Sequence, residues 1–78
     1  MKTEPDLILF ARPGCHLCEH VARMLAEAGA DWREIDIDRD PDLAGRYGLL
    51  IPVVREDHSG RELPFPFDAD ALARFLGG

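Results

Sequence analysis

Between Asp6 and Ala26 the hydrophobic pattern changes period once, and the change falls at Pro13-Gly14. Before it, DLILFAR (residues 6–12) is a short β-prone apolar run closed by a turn signal, which reads as a buried strand. After it, Cys18, Val21, Ala22, Leu25 and Ala26 recur at i, i+3, i+4, i+7 and i+8, one stripe of a helix. Gly29 sits where such a helix ends. A strand, a tight turn and a helix in this order make an α/β unit, which requires a second strand parallel to the first.

The following residues supply that strand. WREIDID (residues 32–38) alternates, with Ile35 and Ile37 on one face. Asp40-Pro41 reads as the N-cap and first position of a short helix lined by Leu43, Ala44 and Tyr47 and stopped by Gly48. Residues 50–56 form a third expected strand. Its Pro52 lacks a ladder donor and is tolerable only near the strand's beginning, where a cis bond would mark a tight feature. Asp57-His58-Ser59-Gly60 reads as a hairpin turn and residues 61–65 as a fourth strand. Asp68 caps a last helix carrying Ala71, Leu72, Phe75 and Leu76 on one face. The expected order is β-α-β-α-β-β-α, with a right-handed parallel crossover at one end and an antiparallel pair at the other.

Size and composition narrow the class. Residues 1–78 make one expected domain, because a chain this short buries only about 60% of its unfolded surface. At 46% hydrophobic and 31% charged, it is too apolar for disorder and too charged for a membrane protein. The longest apolar run, LLIPVV (residues 49–54), falls far short of the ~20 residues that span a bilayer. The opening MKTEPDLILFARPG shows no signal-peptide pattern, so the expected location is the cytoplasm. A net charge of −6 argues against nucleic acid as a partner and reads as a solubility feature. Nothing suggests an oligomer, and a monomer is expected.

The two cysteines, Cys15 and Cys18, stand three residues apart at the start of the first helix. A staple this short constrains little of the unfolded chain, and a cytosolic C-x-x-C is more often redox-active or metal-binding. The first helical turn presents unpaired N–H groups and the positive end of the macrodipole, which favour a thiolate. Cys15 falls at the cap or first position, with Arg12 and His16 near it in sequence to add positive potential. Cys18 falls on the apolar stripe and is expected to be buried, with Glu19 beside it favouring its protonated form. That asymmetry suits dithiol exchange, in which Cys15 attacks a disulfide and Cys18 resolves the mixed disulfide. A zinc site built from Cys15, Cys18 and His20 with His16 or His58 is the rival. It lacks the second closely spaced ligand pair of structural zinc sites, and no metal is expected.

These segments together resemble the thioredoxin superfamily, and most closely its glutaredoxin branch. The resemblance runs from LILFARPGCHLC through IPVV to the last helix. More narrowly, the chain resembles small bacterial glutaredoxin-like proteins with an RPGCHLC opening, a DID-x-DP-x-L-xxx-YG middle and an IPV strand. The resemblance implies an α/β thioredoxin fold of the glutaredoxin type, a four-stranded mixed sheet with helices on both faces. It implies thiol–disulfide oxidoreductase chemistry in cell redox homeostasis, with Cys15 as nucleophile and Cys18 as resolving thiol. Pro52 corresponds to the family's cis proline. Ile51 corresponds to the residue whose backbone pairs with bound peptide or glutathione, and Arg12 to the basic residue before the active-site loop. The implied partner is a disulfide-containing protein or a glutathione mixed disulfide, with no cofactor beyond an electron donor such as glutathione. Glutathione-linked monothiol chemistry and a non-catalytic zinc-binding or adaptor module are the alternatives.

Two departures from the family stand out. His16-Leu17 replaces the Pro-Tyr of glutaredoxins and the Gly-Pro of thioredoxins, and a His there can stabilise the Cys15 thiolate. LPFPFDAD replaces the Gly-Gly-Asp that helps hold glutathione, with Asp68 or Asp70 in the acid's place. A protein disulfide is therefore the more natural partner. Phe65, Pro66 and Phe67 read as core packing at an edge-strand break, or else as a groove floor. Asp36, Asp38 and Asp40 read as strand-end polar groups and a helix cap, since they lack the glycine and terminal glutamate of a calcium loop.

Overall fold

Strand β1 (Leu7–Ala11) forms where successive apolar residues can be buried on both faces, and Ile8, Leu9, Phe10 and Ala11 all are. The computed structural model describes residues 5–77, so the reading of the first four residues, and Gly78, fall outside the described residues. β1 is one of the two inner strands of a four-stranded sheet ordered β2-β1-β3-β4. β2 (Trp32–Asp36) lies parallel to it, with Leu7 opposite Trp32. β3 (Val53–Glu56) lies antiparallel on its other side, with Phe10 opposite Val53. β4 (Arg61–Pro64) closes the hairpin, with Glu56 opposite Arg61. Helices α1 (His16–Glu27), α2 (Pro41–Tyr47) and α3 (Ala69–Gly77) complete the expected order.

The alternation of β1 and β3 assigns the helices to faces. Leu9, Ala11 and Val54 point to one side, against Cys18, Val21 and Leu25 of α1 and Leu72 and Phe75 of α3. Ile8, Phe10 and Val53 point to the other, against Tyr47 of α2 and against Ile37, which lies between β2 and α2. Leu9, Val21, Leu25 and Ile37 are wholly removed from water, each stabilising by roughly 1.5–3 kcal/mol relative to exposure. This two-faced mixed α/β sheet is the thioredoxin fold that the motifs imply.

Local chemistry ends the helices where expected. Gly29 takes a positive φ of 74°, while its N–H donates to the Ala26 carbonyl and that of Ala30 to Leu25. That is a Schellman end, whose left-handed residue favours glycine. Asp40 Oδ1 accepts the Asp42 N–H at 2.9 Å, and Asp68 Oδ1 the Ala71 N–H at 2.8 Å, so both acids cap as expected.

The strands are all shorter than their apolar patterns suggest. The second stops at Asp36, and Ile37–Arg39 turn into a 3-10 helix. The Asp36 side chain accepts the Asp38 N–H at 2.9 Å and so competes with the ladder, yet Ile37 still reaches the core. The third begins at Val53 rather than residue 50. The N–H groups of Leu50 and Ile51 both turn back to the Tyr47 carbonyl, at 2.8 and 3.0 Å, and Pro52 has no N–H to offer. The fourth strand ends at Pro64, although the Phe65 N–H still donates to the Pro52 carbonyl at 3.0 Å.

Candidate active site

β1 delivers the chain to Pro13-Gly14, where Gly14 adopts a positive φ of 78°. A left-handed residue here suits glycine and turns the backbone into α1. Cys15 is the N-cap of that helix, with extended backbone (φ −87°, ψ 106°). Its Sγ accepts the Cys18 N–H at 3.2 Å, and its carbonyl accepts the Glu19 N–H at 3.1 Å. One of the helix's unpaired N–H donors thus points at sulfur. Cys15 is partly exposed, whereas Cys18, one turn further in, is only 4% exposed and packs into the α1–α3 core. The two sulfurs are joined as a disulfide.

The Ile51-Pro52 bond is cis. Register brings it to the dithiol's end of the sheet, since Val53 pairs with Phe10, two residues before β1 gives way to the turn that leads to Cys15. Pro52 is buried, and Ile51 is half-buried against the cores of both sheet faces. The Ile51 N–H is already bonded to the Tyr47 carbonyl. A second cis bond, Phe65-Pro66, follows β4. Phe65 and Phe67 are half-buried, meeting edge to face with centroids 5.6 Å apart, and His20 approaches Phe65 at 6.1 Å.

The two residues expected to add positive potential have carboxylate neighbours of their own. Arg12 forks onto Asp38, with Nε 3.2 Å from one carboxylate oxygen and Nη2 2.9 Å from the other, and its Nη1 reaches the Gly48 carbonyl at 3.4 Å. The Asp38 hydrogen bond holds the guanidinium's pKa above its ordinary value, against an opposing effect of burial. His16 is almost fully exposed, with Nδ1 3.8 Å from a Glu19 carboxylate oxygen. Asp68 is committed to capping α3, while Asp70 is exposed in its first turn. Among the described residues, no three or more His, Cys, Asp or Glu gather to hold a metal, and no helix is long and apolar enough to cross a membrane.

Sequence reasoning missed three features here. The sequence marks Asp38 only as a strand-end polar group, whereas it pairs with Arg12 across 26 positions. Leu17, Leu49 and Leu50 are exposed by 51%, 100% and 50%, so three large apolar side chains face water in the CxxC segment and just ahead of the cis proline. The Tyr47 hydroxyl donates to Glu62, which also accepts from Arg55 at 3.0 Å, so Tyr47 is core and polar anchor together. No local pattern marks the ion pairs. The LLI run ahead of Pro52 is the one signal that would have drawn attention to the exposed leucines.

Comparison with known proteins agrees with this geometry. The family model described as "Glutaredoxin-like domain (DUF836)" matches residues 6–77. The X-ray structure of structural-genomics target XcR50 from X. campestris superposes with a TM-score of 0.84 at 43% identity, covering 91% of this chain and 95% of that one. An uncharacterized protein of Mycobacterium tuberculosis is 38% identical over 77% of this chain and 69% of its own length. A prophage-derived thioredoxin-like protein of Bacillus subtilis is 29% identical over 60% of each chain. With the CxxC pair at the start of the first helix, the cis proline at the same end of the sheet and a family match over nearly the whole length, the chain belongs to the glutaredoxin-like family of the thioredoxin superfamily.

Proposed function

We propose that this protein is a thiol–disulfide oxidoreductase in which Cys15 is the attacking sulfur and Cys18 the resolving one. The reading is supported above all by Cys15 Sγ at the N-cap of α1, 3.2 Å from the Cys18 N–H, with Cys18 buried one turn further in. In the reduced protein, that N–H and the positive end of the helix stabilise a Cys15 thiolate. The thiolate attacks one sulfur of a substrate disulfide, and the other sulfur leaves and takes up a proton. Cys18 then loses its proton and attacks Cys15 Sγ. The substrate departs as a dithiol and the Cys15–Cys18 disulfide forms. Two electrons have passed to the substrate, and a thiol reductant such as glutathione restores the dithiol in the cytoplasm, the compartment this proposal assigns.

The substrate in this reading is a protein or peptide disulfide. Glutathione carries carboxylates that call for free cations. Arg12 is paired with Asp38, and Asp68 caps α3 rather than facing a ligand. Leu17, Leu49 and Leu50 offer apolar surface to a polypeptide instead. Ile51 contributes to a bound strand through its carbonyl, because its N–H is committed to Tyr47.

A redox titration against reduced and oxidised glutathione, read by acid-quenched alkylation and intact mass, tests the proposal. An internal disulfide with a midpoint of about −270 to −200 mV is expected. A glutathione adduct accumulating on Cys15 would replace dithiol exchange with monothiol chemistry. Cysteines that never respond would leave a binding module in its place.

A further inference from the structure

The segment from Gly48 to Ile51 joins α2 to the cis proline, and little apolar packing holds it before Ile51. Leu49 is fully exposed and Leu50 half so. Its own amides turn back to α2, Gly48 to the Ala44 carbonyl and Leu50 and Ile51 to that of Tyr47. Arg12 supplies the tie to β1, reaching the Gly48 carbonyl from 36 positions away in sequence.

The guanidinium is well suited to this. Its Nε and Nη2 edge is occupied by the Asp38 carboxylate, which aims the remaining Nη1 at the Gly48 carbonyl. Asp38 is itself set by the Asp36 side chain, which accepts the Asp38 N–H at 2.9 Å. Three pieces of chain that end near the dithiol are joined at one side chain: the exit of β1, the 3-10 turn after β2 and the entry to β3. A cation neutralised by a carboxylate 2.9 Å away projects little field onto a neighbouring sulfur.

We propose that Arg12 is a positioning residue, which clamps the Gly48–Ile51 segment to the end of β1 through Asp38 and the Gly48 carbonyl and so holds one wall of the substrate groove. The use of the wall as a groove rests on the proposed function, whereas the clamp rests on geometry alone.

Amide hydrogen exchange at Leu50 and Ile51 tests the clamp in the wild type, Arg12→Lys and Asp38→Asn. Lysine keeps the charge and loses the fork, while asparagine leaves Arg12 charged and unclamped. Both variants replace exposed or half-exposed side chains and retain the core. Exchange at Leu50 and Ile51 should accelerate about fivefold in both, the scale of a well-formed surface ion pair, with β1 and β3 amides unchanged. In Arg12→Lys the pH profile of Cys15 alkylation by iodoacetamide should stay where it is. Unchanged exchange in both variants overturns the proposal. So does an Arg12→Gln variant that moves the alkylation profile while leaving exchange alone, since Arg12 would then act on the thiolate. With a disulfide-bonded peptide as substrate, KM should rise about fivefold at constant kcat. Loss of kcat at constant KM counts against the clamp. The exchange readout needs no redox substrate, so its result is independent of the proposed chemistry.

Discussion

Replacing Tyr47 separates two contributions that one side chain makes to the same face of the sheet. Its ring is 2% exposed and stacks on Phe10 with centroids 4.3 Å apart, while its hydroxyl donates to Glu62. Tyr47→Phe keeps the ring and deletes the hydrogen bond. A hydrogen bond to a charged group contributes about 1.5–3 kcal/mol. The low end applies here, because Glu62 is 27% exposed and retains Arg55 at 3.0 Å. The expected loss is about 1.5 kcal/mol, or roughly 6–12 °C in Tm for a chain of this size. Tyr47→Ala removes the ring as well and should cost about 3–5 kcal/mol, with the lost stacking adding about 1. That approaches the whole stability of a small domain, about 4–12 kcal/mol at this length. Urea denaturation followed by Trp32, the single tryptophan, measures both losses. A double-mutant cycle with Glu62→Gln should return a coupling above about 0.5 kcal/mol. A Tyr47→Phe protein as stable as the wild type, with no coupling to Glu62, would refute the anchoring role of the hydroxyl.

The remaining predictions concern the same framework. Burial and the Glu62 hydrogen bond raise the Tyr47 pKa, and burial's upward push on Glu62 is outweighed by Tyr47 and Arg55, which lower it. The raised tyrosine stabilises the fold below its unfolded pKa near ~10 and stops doing so as pH climbs through the folded value. The depressed glutamate stabilises above its unfolded pKa near ~4.3 and stops doing so as pH falls through the folded value. Absorbance at 295 nm, which reports the single tyrosine, should therefore show phenolate only above the ordinary range, and an ordinary titration would contradict it. Gly48→Ala would set a Cβ 2.5 Å from the Ala44 carbonyl oxygen, so the α2 end must shift at a cost of about 1–3 kcal/mol, read by the same urea transition. Cys18→Ser should leave a peptide mixed disulfide on Cys15 at least about tenfold longer-lived than in the wild type, seen by intact mass, and rapid clearance of that adduct would favour monothiol chemistry.

Several of these residues were legible in the sequence because their roles are set within a few positions. The apolar run of β1, the stripe from Cys18 to Leu25 and the caps Asp40 and Asp68 all express local periodicity or local hydrogen bonding. Cys15 belongs with them, since a helix N-cap and the donor it receives lie three residues apart. The boundaries read less well where a side chain or a proline competed with the ladder. Asp36 ended β2 early, and the return of Leu50 and Ile51 to Tyr47 delayed β3.

What the sequence alone determined was therefore the set of strands and α-helices, their order and the position of the dithiol at the start of the first helix. Tertiary structure decided which charges meet. It joined Arg12 to Asp38 and Gly48, joined Tyr47 to Glu62 and left Leu49 in water. These contacts follow from strand order and register, which bring together residues 15 to 36 positions apart. A hydrogen-bond partner at that separation leaves no periodic trace in the chain, because a surface aspartate is the same letter whether it meets water or a guanidinium.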